Sequence, residues 1–256
     1  MNDAELQQAA RQALACLDLT RLNDDDTEAD IERLCERAHT RHGEVAAVCV
    51  WPRLAALARR RAPAGVRVAA VANFPHGEAK PERAQRDVGE IVQAGAQEVD
   101  VVLPWQALLD GDTGAVARVL AATRRAADGL TLKVILETGM LQSDAHITEA
   151  SRIALGEGAD FLKTSTGKVP TGATPEAARA MLRAIAGDAR RAAVGFKASG
   201  GVRTVAEAGL YLKLVTEHLG AEAAAPARFR IGASGLLDDI DAVLSGRASS
   251  VSGAGY

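Results

Sequence analysis

Eight short runs of β-branched and other apolar residues punctuate the chain: ALACLDLT (13–20), VAAVCVW (45–51), VRVAAVAN (66–73), QEVDVVLP (97–104), TLKVILET (131–138), ADFLKTST (159–166), AAVGFKAS (192–199) and ARFRIGAS (227–234). The segments between them, such as DDTEADIERLCERAHTR, PERAQRDVGEIVQAGA and TPEAARAMLRAIAGDA, repeat their apolar positions at the helical period. Near-continuous apolarity marks strands covered on both faces, as in a parallel sheet whose crossovers are helices. Eight βα units in 256 residues match the count and size of a TIM barrel. The expected fold is therefore α/β, a single-domain TIM (β/α)8 barrel over residues 1–256 with a short N-terminal helix and a flexible C-terminal tail from about residue 248. An open doubly wound sheet is the alternative that a strand count leaves. No Pro/Gly/Ser-rich linker or shift of composition divides the chain.

Composition narrows the partners. The 30 basic and 33 acidic side chains leave a net charge of −3, too little and of the wrong sign for nucleic-acid binding driven by charge. A small-molecule partner is expected, with no nucleic acid and no membrane, since no run approaches the ~18 apolar residues a span needs. The start, MNDAELQQAA, carries neither the basic nor the apolar region of a secretion signal, and Cys16, Cys35 and Cys49 form no CxxC pair. A cytoplasmic location is expected, with neither metal nor cofactor. His39 and His42 are spaced i, i+3 but lack a third ligand at a familiar spacing.

The lysines carry the chemistry. Only six of the 30 basic residues are lysine, and Lys133, Lys163 and Lys197 fall inside or at the end of apolar runs. A charge there costs several kcal/mol unless paired or neutralised. Guanidinium keeps its proton at neutral pH, whereas an ammonium can lose one and become a nucleophile. Taken singly, each lysine is explained as a strand-end side chain snorkelling to water; three together favour a cluster. The strand period puts Phe161 with Lys163, Gly195 with Lys197, and Lys133 with Ile135 and Glu137 on shared faces. Asp100, polar among the valines of EVDVV, requires a cationic partner such as Lys133 or Lys197. In such a cluster one lysine's charge lowers the pKa of another, as Schiff-base formation near pH 7 requires.

Glycine-containing turns follow the last three runs: TSTGK (164–168), SGGVRT (199–204) and GASGLLDD (232–239). Glycines admit close backbone approach and helix N-termini add partial positive charge, so the last two turns read as phosphate cradles, with Lys168 or Arg203 adding a full charge. Their place after strands 7 and 8 is that of phosphate sites in many TIM barrels.

In their order, LDLT, NFPHG, EVDVVLP, LKVILETG, GADFLKTSTGK, GFKASGGVRT and RIGAS resemble the deoxyribose-phosphate aldolase family, from about Cys16 to Tyr256. The resemblance implies a cofactor-free class I aldolase. Lys163 matches the Schiff-base lysine, Lys197 the second lysine and Asp100 the acid/base carboxylate. Thr20 and Thr166 match substrate-hydroxyl contacts, and Lys133 is grouped with the substrate-binding residues. Phosphate contacts map to Gly167, Lys168, Gly200, Gly201, Val202, Arg203, Gly232 and Ser234, and Tyr256 to a C-terminal tyrosine in proton transfer. The implied partners are a sugar phosphate and acetaldehyde; a homodimer is allowed by the sequence and not specified by it. This chain has Ala198 and Ser199 where the family often has proline and alanine, Met140 where it has glutamate, and Gly235 where it has serine. Loss of that hydroxyl removes a phosphate donor worth about 1 to 2 kcal/mol, so phosphate affinity is where a difference is expected. Cys49 is expected near the barrel mouth, as a reactive or an inert buried thiol.

Overall fold

The computed structural model describes residues 2–247. Tyr256 and the expected tail, 248–256, lie outside the described residues. Eight parallel strands close into a barrel: β1 (Leu17–Thr20), β2 (Ala47–Val50), β3 (Arg67–Ala72), β4 (Glu98–Val102), β5 (Thr131–Ile135), β6 (Phe161–Lys163), β7 (Gly195–Ser199) and β8 (Phe229–Ala233). β1 pairs with both β2 and β8, which completes the ring and excludes the open sheet. Each strand falls within one of the eight apolar runs. The first run is divided, because Ala13–Ala15 end a helix, Asp3–Ala15, whose start is fixed by a capping box between Asn2 and Glu5. A two-residue antiparallel hairpin, His39–Thr40 with Gly43–Glu44, lies outside the barrel, and His39 faces Glu44 across it.

Helices begin where their sequences direct. Pro52, Pro81 and Pro175 occupy first-turn positions, and Thr27, Asp112, Ser143, Thr174 and Thr204 accept backbone N–H bonds as N-caps. Outward strand residues such as Val48, Val68, Val101, Val134, Leu162 and Ile231 pack into the main apolar core with the helices. The inward residues divide by height and side. A smaller apolar cluster, including Leu22, Cys49, Val71, Phe74 and Ile135, fills one side of the barrel. Below and opposite it the barrel is filled by charge.

Two glycines make that filling possible. A Cβ at Gly195 would collide with the Phe161 ring, which occupies the floor. The room for Lys197 comes from Gly232 on the neighbouring strand, where a Cβ would lie 3.0 Å from Lys197 Cε and 2.7 Å from Ser199 Oγ. The strand period puts Gly195 on the face of Lys197, but inter-strand register, which a single strand does not reveal, makes Gly232 the residue that leaves the room.

Candidate active site

Register brings the three lysines together. Asp100 pairs with Lys133, and Lys163 with Lys197, across adjacent parallel strands. Asp100 is the hub: Oδ1 accepts from Lys133 Nζ at 2.8 Å, and Oδ2 from Lys163 Nζ at 2.8 Å and Lys197 Nζ at 2.7 Å. Lys197 also donates to Asp18 Oδ2 at 2.5 Å, and Lys133 touches Glu98. On the floor, Arg230 reaches Asp18 Oδ1 at 2.7 Å and Glu98 Oε1 at 2.9 Å, and Arg67 joins Glu98 from the half-exposed rim. Asp18, Glu98 and Arg230 complete the cluster, although they had not stood out in the sequence.

The cluster's charge count singles out one of the lysines. Four buried bases, Lys133, Lys163, Lys197 and Arg230, face three buried acids, Asp18, Glu98 and Asp100. An unmatched charge in this interior is costly, so one base is driven to neutrality. Arginine cannot comply. Lys133 lies against Asp100 and Glu98, with Asp18 at 3.6 Å, and Lys197 lies against Asp100 and Asp18. Among the described residues Lys163 has Asp100 alone, shared with the other two. Burial and the charge of Lys197 bring its pKa below the ordinary lysine value against the pull of Asp100. Burial acts the same way on Lys133 and Lys197, but their carboxylates outweigh it and hold both above the ordinary value. Burial would raise Asp100; the three lysines hold it well below the usual carboxylate range. All three lysine side chains are buried, 2% exposed for Lys163 and 0% for Lys133 and Lys197.

Above the cluster opens a cavity of about 720 Å³. Arg21, Arg37, Lys168 and Arg203 line it, and among the described residues no carboxylate does, in a chain whose net charge is negative. Arg21 is paired with Asp26 and Asp30, and Arg37 with Asp238, so Lys168 and Arg203 are the wall's cations without an ion pair among the described residues, and they suit an anion. The loops after β6 and β7 are fastened to each other. Thr164 Oγ1 donates to the Ser199 carbonyl and accepts from its amide, both at 2.9 Å, and Ala173 N donates to Gly200 O at 2.9 Å. Gly167, Gly200 and Gly201 take left-handed backbone angles (φ 79°, 86° and 90°). The amides of Gly201 and Val202 have no protein acceptor among the described residues. The helix after this turn is less available than expected: Arg203 N and Thr204 N are taken by Glu207 Oε2, at 2.7 and 3.0 Å. By contrast, the helix Leu236–Leu244 starts at Gly235 without a side-chain cap, with Gly232, Ser234 and Gly235 on the cavity wall.

Glu137 departs from the sequence expectation. β5 ends at Ile135, and Glu137 adopts left-handed angles (φ 57°, ψ 54°) rather than continuing the face of Lys133. Its carboxylate accepts from Thr166 Oγ1 at 2.6 Å and Thr166 N at 3.2 Å, which fixes a cavity residue, and burial raises its pKa. Thr20 also lines the cavity, its hydroxyl donating to the Asp18 carbonyl at 2.8 Å. Lys133, Lys163, Lys197 and Asp100 lie below that lining, with Lys133 engaged by Glu98 and Asp100. Cys49 is fully buried with its Sγ 3.9 Å from Asp100 Oδ2, and burial pushes its thiol up to about 11, which suits an inert thiol. Arg21 and Arg37 escaped the sequence reading.

Known proteins share this architecture. The family model described as DeoC/LacD family aldolase matches residues 12–249. A deoxyribose-phosphate aldolase of Agrobacterium fabrum is 46% identical over 254 residues, covering 97% of this chain and 96% of its own. Among solved structures, the aldolase QR15 is 30% identical with a TM-score of 0.76, covering 91% of this chain and 96% of its own. The tetrameric deoxyribose phosphate aldolase of Aeropyrum pernix is 26% identical with a TM-score of 0.71, covering 93% and 97%. A buried amine held short of a carboxylate beneath a cation-lined barrel mouth thus sits in a chain that, over nearly its whole length, belongs to the DeoC/LacD family of aldolases.

Proposed function

We propose that the chain reversibly cleaves 2-deoxy-D-ribose 5-phosphate to acetaldehyde and D-glyceraldehyde 3-phosphate through a Schiff base on Lys163. The charge deficit around Lys163, four buried bases against three acids, is the observation that carries this reading. Neutral Lys163 adds to C1 of the open-chain aldehyde, and loss of water leaves an iminium. That iminium restores the positive charge the cluster could not hold, so it withdraws electrons strongly. Breaking the C2–C3 bond sends its electron pair into the iminium and gives a neutral enamine, while the C3 hydroxyl loses its proton and becomes the aldehyde of glyceraldehyde 3-phosphate. A water that the ionised Asp100 orients carries the proton that C2 of the enamine then takes up, and hydrolysis frees acetaldehyde and the amine. Lys197, anchored by Asp18, holds Asp100 in place throughout.

The phosphate is assigned to the cation-lined loops, at Gly167, Lys168, Gly200, Gly201, Val202, Arg203, Gly232 and Ser234, with Thr20 and Thr166 toward the sugar hydroxyls. Arg21 and Arg37 join that wall. Gly172→Ala tests the loops, because its Cβ would collide with the Gly200 carbonyl oxygen. The expected result is KM for the phosphorylated sugar raised about tenfold, or ~1.4 kcal/mol, with Schiff-base formation from acetaldehyde unchanged.

The proton-transfer role of Tyr256 lies outside the described residues; Tyr256→Phe should slow exchange of acetaldehyde methyl protons by about 10² to 10⁴. No helix among the described residues is long and apolar enough to cross a membrane. A cytoplasmic location and a homodimer stay part of this reading, the latter checked by solution mass.

The reading as a whole is tested by incubating the protein with 2-deoxyribose 5-phosphate and, in reverse, glyceraldehyde 3-phosphate with either acetaldehyde or dihydroxyacetone phosphate. Release of acetaldehyde and condensation with acetaldehyde alone are expected. Condensation with dihydroxyacetone phosphate would assign a different carbonyl donor.

A further inference from the structure

The charge count that singles out Lys163 depends on a residue at the other end of the barrel. Arg230 enters β8 at the face opposite the cavity and lines a second opening of about 550 Å³ with Arg67, Glu98 and Thr131. Its guanidinium is buried over the Phe161 ring and held by the Pro226 carbonyl at 2.6 Å. From there it engages one oxygen of Asp18 and both of Glu98. These acids are the second partners of Lys197 and Lys133.

We propose that Arg230 is a positioning residue for the reaction: by adding a permanent cation to Asp18 and Glu98, it leaves Lys163, among the described residues, as the one base of the four with a single carboxylate contact, and that one shared with two other lysines. This rests on the Schiff-base reading above. The permanence matters, since a lysine at the floor could itself surrender the proton and leave Lys163 charged, whereas a guanidinium cannot. Arg67 also touches Glu98, but its side chain is 43% exposed, so water screens it.

The groups facing Lys163 are Asp100 on β4, Lys197 on β7, Cys49 on β2, Lys133 on β5 behind Asp100, and Glu137 after β5. Cys49 stays a neutral thiol, and Glu137 directs both oxygens to Thr166 and touches no lysine. Beyond them lie Asp18 on β1, Glu98 on β4 and Arg230 on β8. Removing Arg230's charge leaves three acids for three lysines, so Lys163 keeps its proton to higher pH. Removing Glu98's charge leaves two acids for four bases, and Lys163 loses its proton at lower pH.

The test compares the pH dependence of Schiff-base formation with acetaldehyde in the intact enzyme and its variants. Arg230→Gln should move the acid limb to alkaline pH by about one unit or more, and Glu98→Gln should move it to acid pH by a similar amount. The double variant should return it toward the parent position. A merely structural role would slow both single variants without opposite shifts or mutual rescue, and that result would overturn the proposal. Should Arg230→Gln fail to fold, Glu98→Gln alone must still show the acid shift while Arg230→Lys moves the limb to alkaline pH, because the substituted lysine can give up the proton in place of Lys163; an unmoved limb in both overturns it. Parent enzyme that forms no adduct at Lys163 would instead refute the underlying reading, so the two failures are distinct.

Discussion

Lys163→Arg is expected to lower turnover by about 10⁴-fold or more, because arginine presents no neutral amine and no covalent intermediate can form. The charge count adds a second expectation that separates chemistry from folding. Arginine at 163 would place four permanent or near-permanent cations against three acids in a buried site. Lys163→Met would remove the amine while leaving three cations for three acids. Both variants should be inactive, yet the methionine variant should melt at or above the parent temperature and the arginine variant below it. Substantial turnover in either would exclude a Schiff base at this residue. A methionine variant that melts well below its arginine counterpart would contradict the charge count.

The largest effect on stability is expected from Asp100. It alone contacts all three lysines, with neither oxygen exposed. Asp100→Leu should cost about 3 to 5 kcal/mol, the penalty for stranding buried charge, or a drop of roughly 10 °C in Tm for a chain of this size. The deficit should depend on pH. In the parent, carboxylates hold Lys133 and Lys197 above the ordinary lysine value, so their contribution is present below that value and lost as pH rises through the raised one. In the variant, burial acts with less opposition and the folded lysines release protons more readily than the unfolded ones. Stability then rises with pH, and denaturant unfolding should show a smaller deficit at pH 9.5 than at pH 7. An equal deficit at both values would mean that lost packing, not stranded charge, sets the cost.

The barrel was legible because its eight apolar runs are short, evenly distributed and separated by helices with clear caps and first-turn prolines. Lys163, Lys197 and Asp100 were legible for a related reason: a charge among apolar strand residues has few explanations. Asp18, Glu98 and Arg230 obey the same period, two residues from Thr20, Asp100 and Gly232, and could have been found by it. They were obscured because polar residues near strand ends ordinarily face water. Arg21 and Arg37 could not have been found that way. One follows β1 and the other ends the helix Glu28–Arg37, and only closure of the barrel puts both beside Lys168 and Arg203. The N-terminus of Val205–Leu219 misled for the opposite reason. Its sequence offered free amides, whereas Thr204 and Glu207 form a capping box that consumes them.

The most direct measurement is borohydride reduction of the intact protein in the presence of acetaldehyde, followed by peptide mass mapping. Neutral Lys163, alone among the buried bases, should gain a single ethyl group on the peptide carrying GADFLKTSTGK. An adduct on Lys133 or Lys197 instead, or no adduct under conditions where the protein is folded and active, would contradict it.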